Sequence, residues 1–214
     1  MLLIYNQGHF SIVSVRGELM NELLKKYTEY MRLENYRIEY TLSNSEILEV
    51  FYLEENFAHL IGLHKLKDIQ LIQFWLDKSN HRVKLKEVIR RIKNSTFTDT
   101  MVKSSIFYPQ IKERYENFSY DNLTTLTYTD AIIHFNPQPI KSKLKSDYIL
   151  LEEKGLGEYN HLGIALDKKR QIRYLETFFH QPDNRYIAGQ TIVKVIDFKL
   201  FDANNQLIVE DRFY

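Results

Sequence analysis

Residues 146–179, "SDYILLEEKGLGEYNHLGIALDKKRQIRYLETFF", contain three apolar runs separated by short turn segments. Gly155 and Gly157 mark the first turn, and "DKKR" marks the second. Short connections between consecutive strands favour antiparallel pairing, because parallel strands need a crossover of a dozen or more residues. The stretch therefore predicts an antiparallel β-meander, which a further strand is expected to extend. The predicted strands of this sheet lie at about 147–152, 160–167, 171–178 and 190–200.

The region before the meander has two other patterns. In residues 18–31, "ELMNELLKKYTEYM", apolar residues recur at spacings of three and four, which predicts an amphipathic helix. Residues 35–53, "NYRIEYTLSNSEILEVFYL", alternate apolar with charged residues on both sides of a polar turn. This second pattern predicts a β-hairpin.

The remaining long segment, residues 67–126, predicts helices throughout, and Asp68 is the expected N-cap of the first one. We therefore expect a single α+β domain over 1–214. Its N-terminal helix and a helical insertion at 67–126 would accompany an antiparallel sheet formed by residues 129–214. The helix at 18–31 is expected to pack on that sheet.

The composition excludes several classes of protein. The chain has 214 residues, a net charge of +1 and no cysteine, which excludes disulfides, thiolate metal sites and cysteine nucleophiles. No apolar run approaches the ~20 residues that a membrane-spanning helix needs. The start lacks the basic segment and cleavage site of a signal peptide. The expectation is a cytoplasmic protein with no membrane association and no cofactor.

The stretch "ENFAHLIGLHKLKD", residues 54–67, places His59, His64 and Lys65 in apolar surroundings. Metal binding is disfavoured, because residues five apart on one helix lie roughly 140° apart around its axis. Two readings stay open: core imidazoles hydrogen-bonded to the backbone, and acid–base groups of an active site. Gly62 lies between the histidines, where the absence of a side chain would let another segment approach closely.

A second polar stretch is "ETFFHQPDNRYIAGQ", residues 176–190. Thr177 ends one predicted strand, Gln190 begins the next, and Arg185 and Tyr186 lie in the connection. Cleavage of an RNA phosphodiester needs a base, cationic donors and an acid, and hydroxyl, guanidinium and amide groups can supply part of this chemistry without a metal. An ordinary hairpin loop is the alternative.

Positive charge is concentrated in residues 64–93, which hold nine Lys and Arg against three acids. Such a region can attract a polyanion, although a solvated helix face is the commoner explanation. The candidate nucleic-acid-binding residues are Lys84, Lys86, Arg90, Arg91, Lys93 and Arg185.

Two motifs together resemble the phage-associated families of barnase–EndoU–colicin–RelE-like (BECR fold) nucleases, found in phages, prophages and mobile elements. The first is an aromatic-x-His-Leu-x-Gly-Leu-His pattern, matched by Phe57, His59, Leu60, Gly62, Leu63 and His64. The second is matched by Thr177, Phe178, Phe179, Tyr186 and Gln190. The resemblance implies N-terminal helices on an antiparallel meander, as in barnase and RelE.

The resemblance also implies a function: a metal-independent endoribonuclease, toxin-like or active in phage defence, that cleaves RNA through a 2′,3′-cyclic phosphate. His59 or His64 would act as base or acid, Lys65 would hold the phosphate, and Thr177 and Tyr186 would orient groups. The expected partners are RNA and an inhibitor or antitoxin protein. A non-catalytic module that binds nucleic acid or protein is the alternative, and a helical DNA-binding regulator is a weaker one.

Overall fold

A computed structural model describes residues 2–6, 9–13, 21–77, 79, 83–124, 128–155 and 157–212. The strands are β1 Leu2–Asn6, β2 His9–Val13, β3 Arg37–Leu42, β4 Ile47–Phe51, β5 Asp130–Ile133, β6 Tyr148–Gly155, β7 Glu158–Asp167, β8 Ile172–Gln181, β9 Thr191–Phe201 and β10 Leu207–Arg212. The α-helices are α1 Glu22–Met31, α2 Phe57–Leu60, α3 Gln70–Leu76, α4 Leu85–Lys93, α5 Asp99–Lys103, α6 Lys112–Asn117 and α7 Tyr120–Thr124.

Eight of the described strands form one sheet in the order β10-β9-β3-β4-β8-β7-β6-β5. An additional pairing of β5 with β9 closes seven of them into a barrel, and β10 is added to β9 outside the closure. Neighbouring strands run antiparallel except β4 and β8, which are parallel where Phe51 faces Tyr174. β1 and β2 form a separate antiparallel pair. The fold is therefore a closed, mixed barrel with short helices.

The expectation of an α+β fold with a C-terminal antiparallel β-meander of the barnase/RelE type is wrong. β6, β7 and β8 do follow one another as antiparallel neighbours. The hairpin of β3 and β4, however, lies between β8 and β9 in the same sheet. The connection at 182–190 leads from β8 to β5, which pairs with the first residues of β9, and β9 then continues along β3. Local patterns fix which residues form strands, but the choice of partner depends on contacts distant in sequence.

The barrel interior is filled by alternate residues of its strands. Ile38 and Tyr40 of β3 are buried opposite Val50 and Leu48 of β4. On the other side of β3, Tyr40 faces Phe198 of β9, with ring centroids 5.3 Å apart. The period-two pattern that predicted the hairpin therefore reflects real alternation between the barrel interior and its outer surface.

Helix α1 begins at an Asn21 cap, whose side-chain oxygen accepts from the Leu23 amide. The predicted helix started at 18, and residues 18–20 lie outside the described ranges. α1 packs against α4, α5 and α7. Its Tyr30 also contacts Tyr52 just after β4 and Phe57 of α2, at centroid distances of 6.0 and 5.6 Å. α1 thus joins the helices to the barrel through an aromatic core.

The segment 67–126, predicted to hold several helices, contains the short helices α3 to α7 in its described residues. Asp68 is not an N-cap, because α3 is preceded by Ile69 and has no side-chain cap. The Asp68 carboxylate instead accepts from the Ser105 hydroxyl at 2.5 Å and the Ile106 amide at 2.9 Å. These bonds tie the segment before α3 to the one after α5. No helix in the described ranges combines the length and apolar character that a bilayer crossing requires.

Candidate active site

The two histidines lie on different short helices. α2 ends at Leu60, and Gly62 adopts the left-handed conformation at φ 85° before a 3₁₀ turn over Leu63–Lys65. A continuous helix would separate the rings, but the break brings His59 and His64 into contact, with centroids 4.8 Å apart. Trp75 of α3 contacts His59 from another side at 5.1 Å. The expectation of divergent rings on one helix is therefore wrong.

Desolvation and neighbouring positive charge lower the pKa of both imidazoles. Desolvation, followed by the charge of Arg114, lowers the pKa of His59, although the residue is exposed at the surface. Desolvation lowers the pKa of the half-buried His64 further, to about 3. The Nδ1 atom of His64 is buried and has no hydrogen-bond partner among the described residues. An anion bound beside the pair would act in the opposite direction and raise both pKa values.

Gly62 allows α6 to reach the histidines. A Cβ atom at Gly62 would lie 2.8 Å from Cγ2 of Ile111 and 3.2 Å from Cδ of Arg114. The close approach expected from this glycine is therefore confirmed, and the approaching segment is the start of α6. It brings Arg114 over the end of α2, where Nη1 donates to the His59 carbonyl at 3.4 Å.

Arg114 is half-buried and has no carboxylate partner among the described side chains. Desolvation lowers the pKa of its guanidinium to about 10. Tyr186 is close enough to act on it electrostatically, in the direction that favours the charged form. Arg114 therefore connects the histidine pair to the loop that carries Tyr186.

Further cations surround this position. The pKa of Lys65 is lowered by desolvation and then by the charges of Arg114, Lys67 and Lys143. Lys145 likewise acts on His59. We call Lys65, Lys67, Arg114, Lys143 and Lys145 the cationic cluster. The carboxylate of Glu176 accepts from the Lys145 amide and the Ser146 hydroxyl.

The structure places the predicted residues of the sheet end in different environments. Thr177 is buried on β8 opposite Gly163, and both α2 and α6 pack against β8. Tyr186 contacts Phe179, with ring centroids 4.8 Å apart. The amide of Gln190 both donates to and accepts from the Asn136 backbone, at 2.9 and 3.0 Å. Gln190 thus holds the loop after β5, and its polar atoms are engaged there.

The predicted nucleic-acid-binding residues of α4 are largely paired with acids. Arg90 and Arg91 both bind Glu87, at 2.7 and 2.8 Å, and Lys93 binds Glu54 at 2.7 Å. Lys84 and Lys86 are exposed. Arg185 pairs with Asp183 in its own turn, at 3.1 Å. Lys78 and Arg82, two further cations of the basic run, lie outside the described residues.

The described part of the chain contains no group of three or more His, Asp and Glu side chains arranged to hold a metal ion. A cavity of about 240 Å³ is lined by residues of β5, β6, β7 and β9 and by Ile187, and neither His59 nor His64 is among them. Its lining residues are Asp130, Leu151, Glu153, Tyr159, Ile187, Ile192 and Lys194.

Comparison with protein families identifies the chain over most of its length. Residues 22–209 match the model of the family described as phage-Barnase-EndoU-ColicinE5/D-RelE like nuclease4. The chain belongs to this nuclease family. Searches of curated proteins and of solved structures returned no match. The family resemblance is therefore confirmed, and membership indicates a nucleic-acid substrate.

Arg114, Lys143 and Lys145 were missed by sequence reasoning about this nuclease. Arg114 lies in "KERYENF", where acids and bases alternate and no motif marks one arginine. Lys143 and Lys145 belong to "KSKLK", residues 141–145, a short basic run before β6 that could have been noted. Gly62 was the one local signal that another segment approaches, but it does not say which.

Proposed function

We propose that this nuclease is a metal-independent endoribonuclease whose acid–base groups are His59 and His64. The observation that carries the proposal is the contact of the two imidazoles, 4.8 Å apart, beside cations that have no carboxylate partner among the described side chains. Family membership supports the nuclease class, and the histidines supply groups that transfer protons near neutral pH. A toxin-like or phage-defence role restrained by an inhibitor protein belongs to the same proposal.

The reaction joins the 2′-oxygen to the adjacent phosphorus while the bond from phosphorus to the 5′-oxygen breaks. A neutral histidine removes the 2′-hydroxyl proton, and a protonated one gives a proton to the leaving 5′-oxygen. The products are a 2′,3′-cyclic phosphate and a 5′-hydroxyl. His59 is the more exposed ring and is the group proposed to reach the substrate, with His64 as its partner. Lys65, which is also exposed, neutralises charge on the phosphate.

The low pKa of His64 fits this scheme only when substrate is bound. In the free protein, desolvation and the surrounding positive charges oppose protonation. A phosphodiester anion adds the opposite charge, which raises a histidine pKa toward neutrality. Substrate binding thus turns a neutral pair into one able to share a proton. Thr177 and Tyr186 are proposed to orient the groups from β8 and its loop, whereas Gln190 acts only by holding Asn136.

The test is cleavage of RNA by purified protein in excess EDTA, with analysis of the product ends. Replacing a general acid or base costs roughly 10²–10⁴-fold in rate. We expect that loss for His59→Ala and for His64→Ala, and a smaller loss for Lys65→Ala. His134→Ala is the matched control, because His134 is an exposed histidine on the loop after β5. Circular dichroism checks that each variant folds.

Full activity of both histidine variants would contradict the assignment. Activity that disappears in EDTA would contradict metal independence while leaving the nuclease class in place. If no RNA is cleaved under any condition, the non-catalytic binding module becomes the better proposal.

A further inference from the structure

We infer that Arg114 and Trp75 form a nucleotide subsite beside the histidine pair, in which the guanidinium binds a phosphate and the indole stacks on an unpaired base. The substrate class is therefore single-stranded nucleic acid. The subsite rests on the proposed function for the position of the reacting phosphate. Its test measures binding, which does not require cleavage.

Arg114 differs from the other arginines whose side chains the structure describes. Five of them pair with carboxylates, namely Arg37, Arg90, Arg91, Arg170 and Arg185. Two more lie over aromatic rings, Arg32 over Tyr120 and Arg173 over Tyr148. Among the described residues Arg114 has neither kind of partner, and its one hydrogen bond there is a long one to the His59 carbonyl, at 3.4 Å.

A half-buried guanidinium without a counter-ion is costly, because desolvation disfavours its charge. The cost is compensated when an anion binds, and the fork of N–H donors matches the oxygens of a phosphate. Lys65 and Lys145 add positive charge on the same side, so the local field favours an anion.

Trp75 supplies the second half of the subsite. It is half-buried on α3, with its ring centroid 5.1 Å from that of His59 and the two planes inclined at 63°. The indole is therefore not stacked flat on the histidine. Its neighbour on the helix, Phe74, is 40% exposed, so this part of α3 presents aromatic surface to solvent.

Stacking of a base on an aromatic side chain contributes ~1–3 kcal/mol and tolerates any base. In a duplex, each base is already stacked and paired, and its face is not available to a protein side chain. A phosphate held at Arg114 with a base on Trp75 therefore requires an unpaired strand.

The experiment uses the fact that Trp75 is the chain's single tryptophan, so intrinsic fluorescence reports this ring alone. The wild-type protein is titrated with an all-2′-deoxy oligonucleotide, which lacks the attacking hydroxyl, as a single strand and as a blunt duplex. We expect quenching by the single strand, with an affinity on the order of tenfold or more above that of the duplex. Equal quenching by the two forms would overturn the inference.

Variants separate the phosphate from the base. Arg114→Gln should weaken single-strand binding about tenfold or more, and Arg114→Lys should recover part of it. Arg90→Gln is the matched control, since its guanidinium is already paired with Glu87. Trp75→Leu, followed by anisotropy of a labelled strand, should also lose affinity, whereas Trp75→Phe, which keeps an aromatic ring, should retain part of it.

Unchanged binding in Arg114→Gln or Trp75→Leu would overturn the subsite. Retained quenching in a protein that cleaves no RNA would overturn the proposed function and leave the subsite in place. The two failures are therefore distinguishable.

Discussion

Helix α4 and the cationic cluster carry similar numbers of positive side chains, yet their surroundings are opposite. On α4, Arg90 and Arg91 share the carboxylate of Glu87, and Lys93 binds Glu54. In the cluster, Arg114 has no carboxylate partner among the described side chains. The difference shows that a run of basic residues in a sequence does not locate an anion site. What matters is whether the positive charges are already neutralised within the protein.

The pairing also affects how each region responds to a ligand. The two arginines of α4 lower the pKa of Glu87 to about 2, so their counter-ion stays charged at any ordinary pH. A phosphate that binds α4 must displace it. A phosphate that binds the cluster meets cations whose charge is unopposed, and it also relieves their mutual repulsion.

The largest expected effect is on salt-dependent binding of single-stranded RNA. Reversing three cluster charges (Lys65, Lys143 and Lys145 to Glu) should reduce the slope of log K against log salt by about 2, at roughly 0.7 per phosphate contact. Affinity at low salt should fall by roughly 10²–10³-fold. Reversing Lys84, Lys86 and Arg90 on α4 should leave the slope nearly unchanged. The opposite result would restore the basic helix as the binding surface and break the comparison.

The second effect concerns the glycine that admits α6 to the cluster. Gly62→Ala combines a φ of 85° with a Cβ only 2.8 Å from Ile111, and should lower the free energy of unfolding by roughly 2–4 kcal/mol. Gly189→Ala is the control, because Gly189 also has a positive φ but nothing lies within 4 Å of its added Cβ. It should cost only about 1 kcal/mol.

Urea unfolding of both glycine variants measures the difference. Equal losses of unfolding free energy would mean that α6 shifts at little cost. Gly62 would then be required only for its left-handed backbone conformation. In surviving Gly62→Ala protein, RNA affinity should also fall, because Arg114 is displaced with α6.

The strands of this fold could be predicted from local sequence, but their arrangement in the sheet could not. Alternation around Ile38 and Tyr40 was enough to predict a hairpin, and the turns at Gly155–Gly157 and at "DKKR" were enough to place β6, β7 and β8. The partners of β9 could not be predicted, since they are set by strands about 60 and 160 residues away. Closure of the barrel follows from that pairing, so the fold class was wrong although most strands were found.

The candidate site was only partly predictable for a similar reason. His59, His64 and Lys65 were identified from a local motif, but their geometry depends on the left-handed turn at Gly62. Arg114 joins them from a helix some 50 residues later, and no local pattern distinguishes it. Gln190 matched a motif position, yet its amide binds the Asn136 backbone. The catalytic roles of all these residues stay predictions.

A third, smaller effect is the pH dependence of stability. His64 has a pKa of about 3 in the folded protein against 6.5 when unperturbed. Below pH 6.5 the unfolded chain therefore binds a proton that the folded chain does not, and stability falls as the pH drops toward 3. At pH 5 the loss is at most about 2 kcal/mol. Above pH 6.5 this contribution is flat.

Unfolding of the wild type and of His64→Gln between pH 7 and pH 5 tests this, with His134→Gln as the control. The slope should decrease only in His64→Gln. The ion pairs of α4 should contribute little in this window, since the stability that comes from the lowered pKa of Glu87 is lost between its ordinary value of 4.5 and about 2. An unchanged slope in His64→Gln would mean that the ring is less desolvated than its packing indicates.

The smallest effect is expected when α4 loses the acid that neutralises its arginines and so becomes more like the cationic cluster. Glu87→Gln frees Arg90 and Arg91, so α4 should gain affinity for RNA at low salt by less than about tenfold, and lose the gain at high salt. Lys103 and Asp99 form a comparable pair on α5, so Asp99→Asn is the matched control for removing an acid elsewhere. A decrease in affinity with Glu87→Gln would mean that the ion pairs organise α4 for binding.

Closure of the barrel through β9 has a consequence for how the chain folds during synthesis. β9 pairs with β5 through residues 191–194 and with β3 through 195–201. One strand therefore supplies the second hydrogen-bonding neighbour of both β3 and β5. Until residue 201 leaves the ribosome, β3 and β5 each present an unpaired edge, and such edges recruit other strands. Pairings this distant in sequence also form slowly. A nascent or truncated chain ending before β9 should therefore associate with chaperones or with itself.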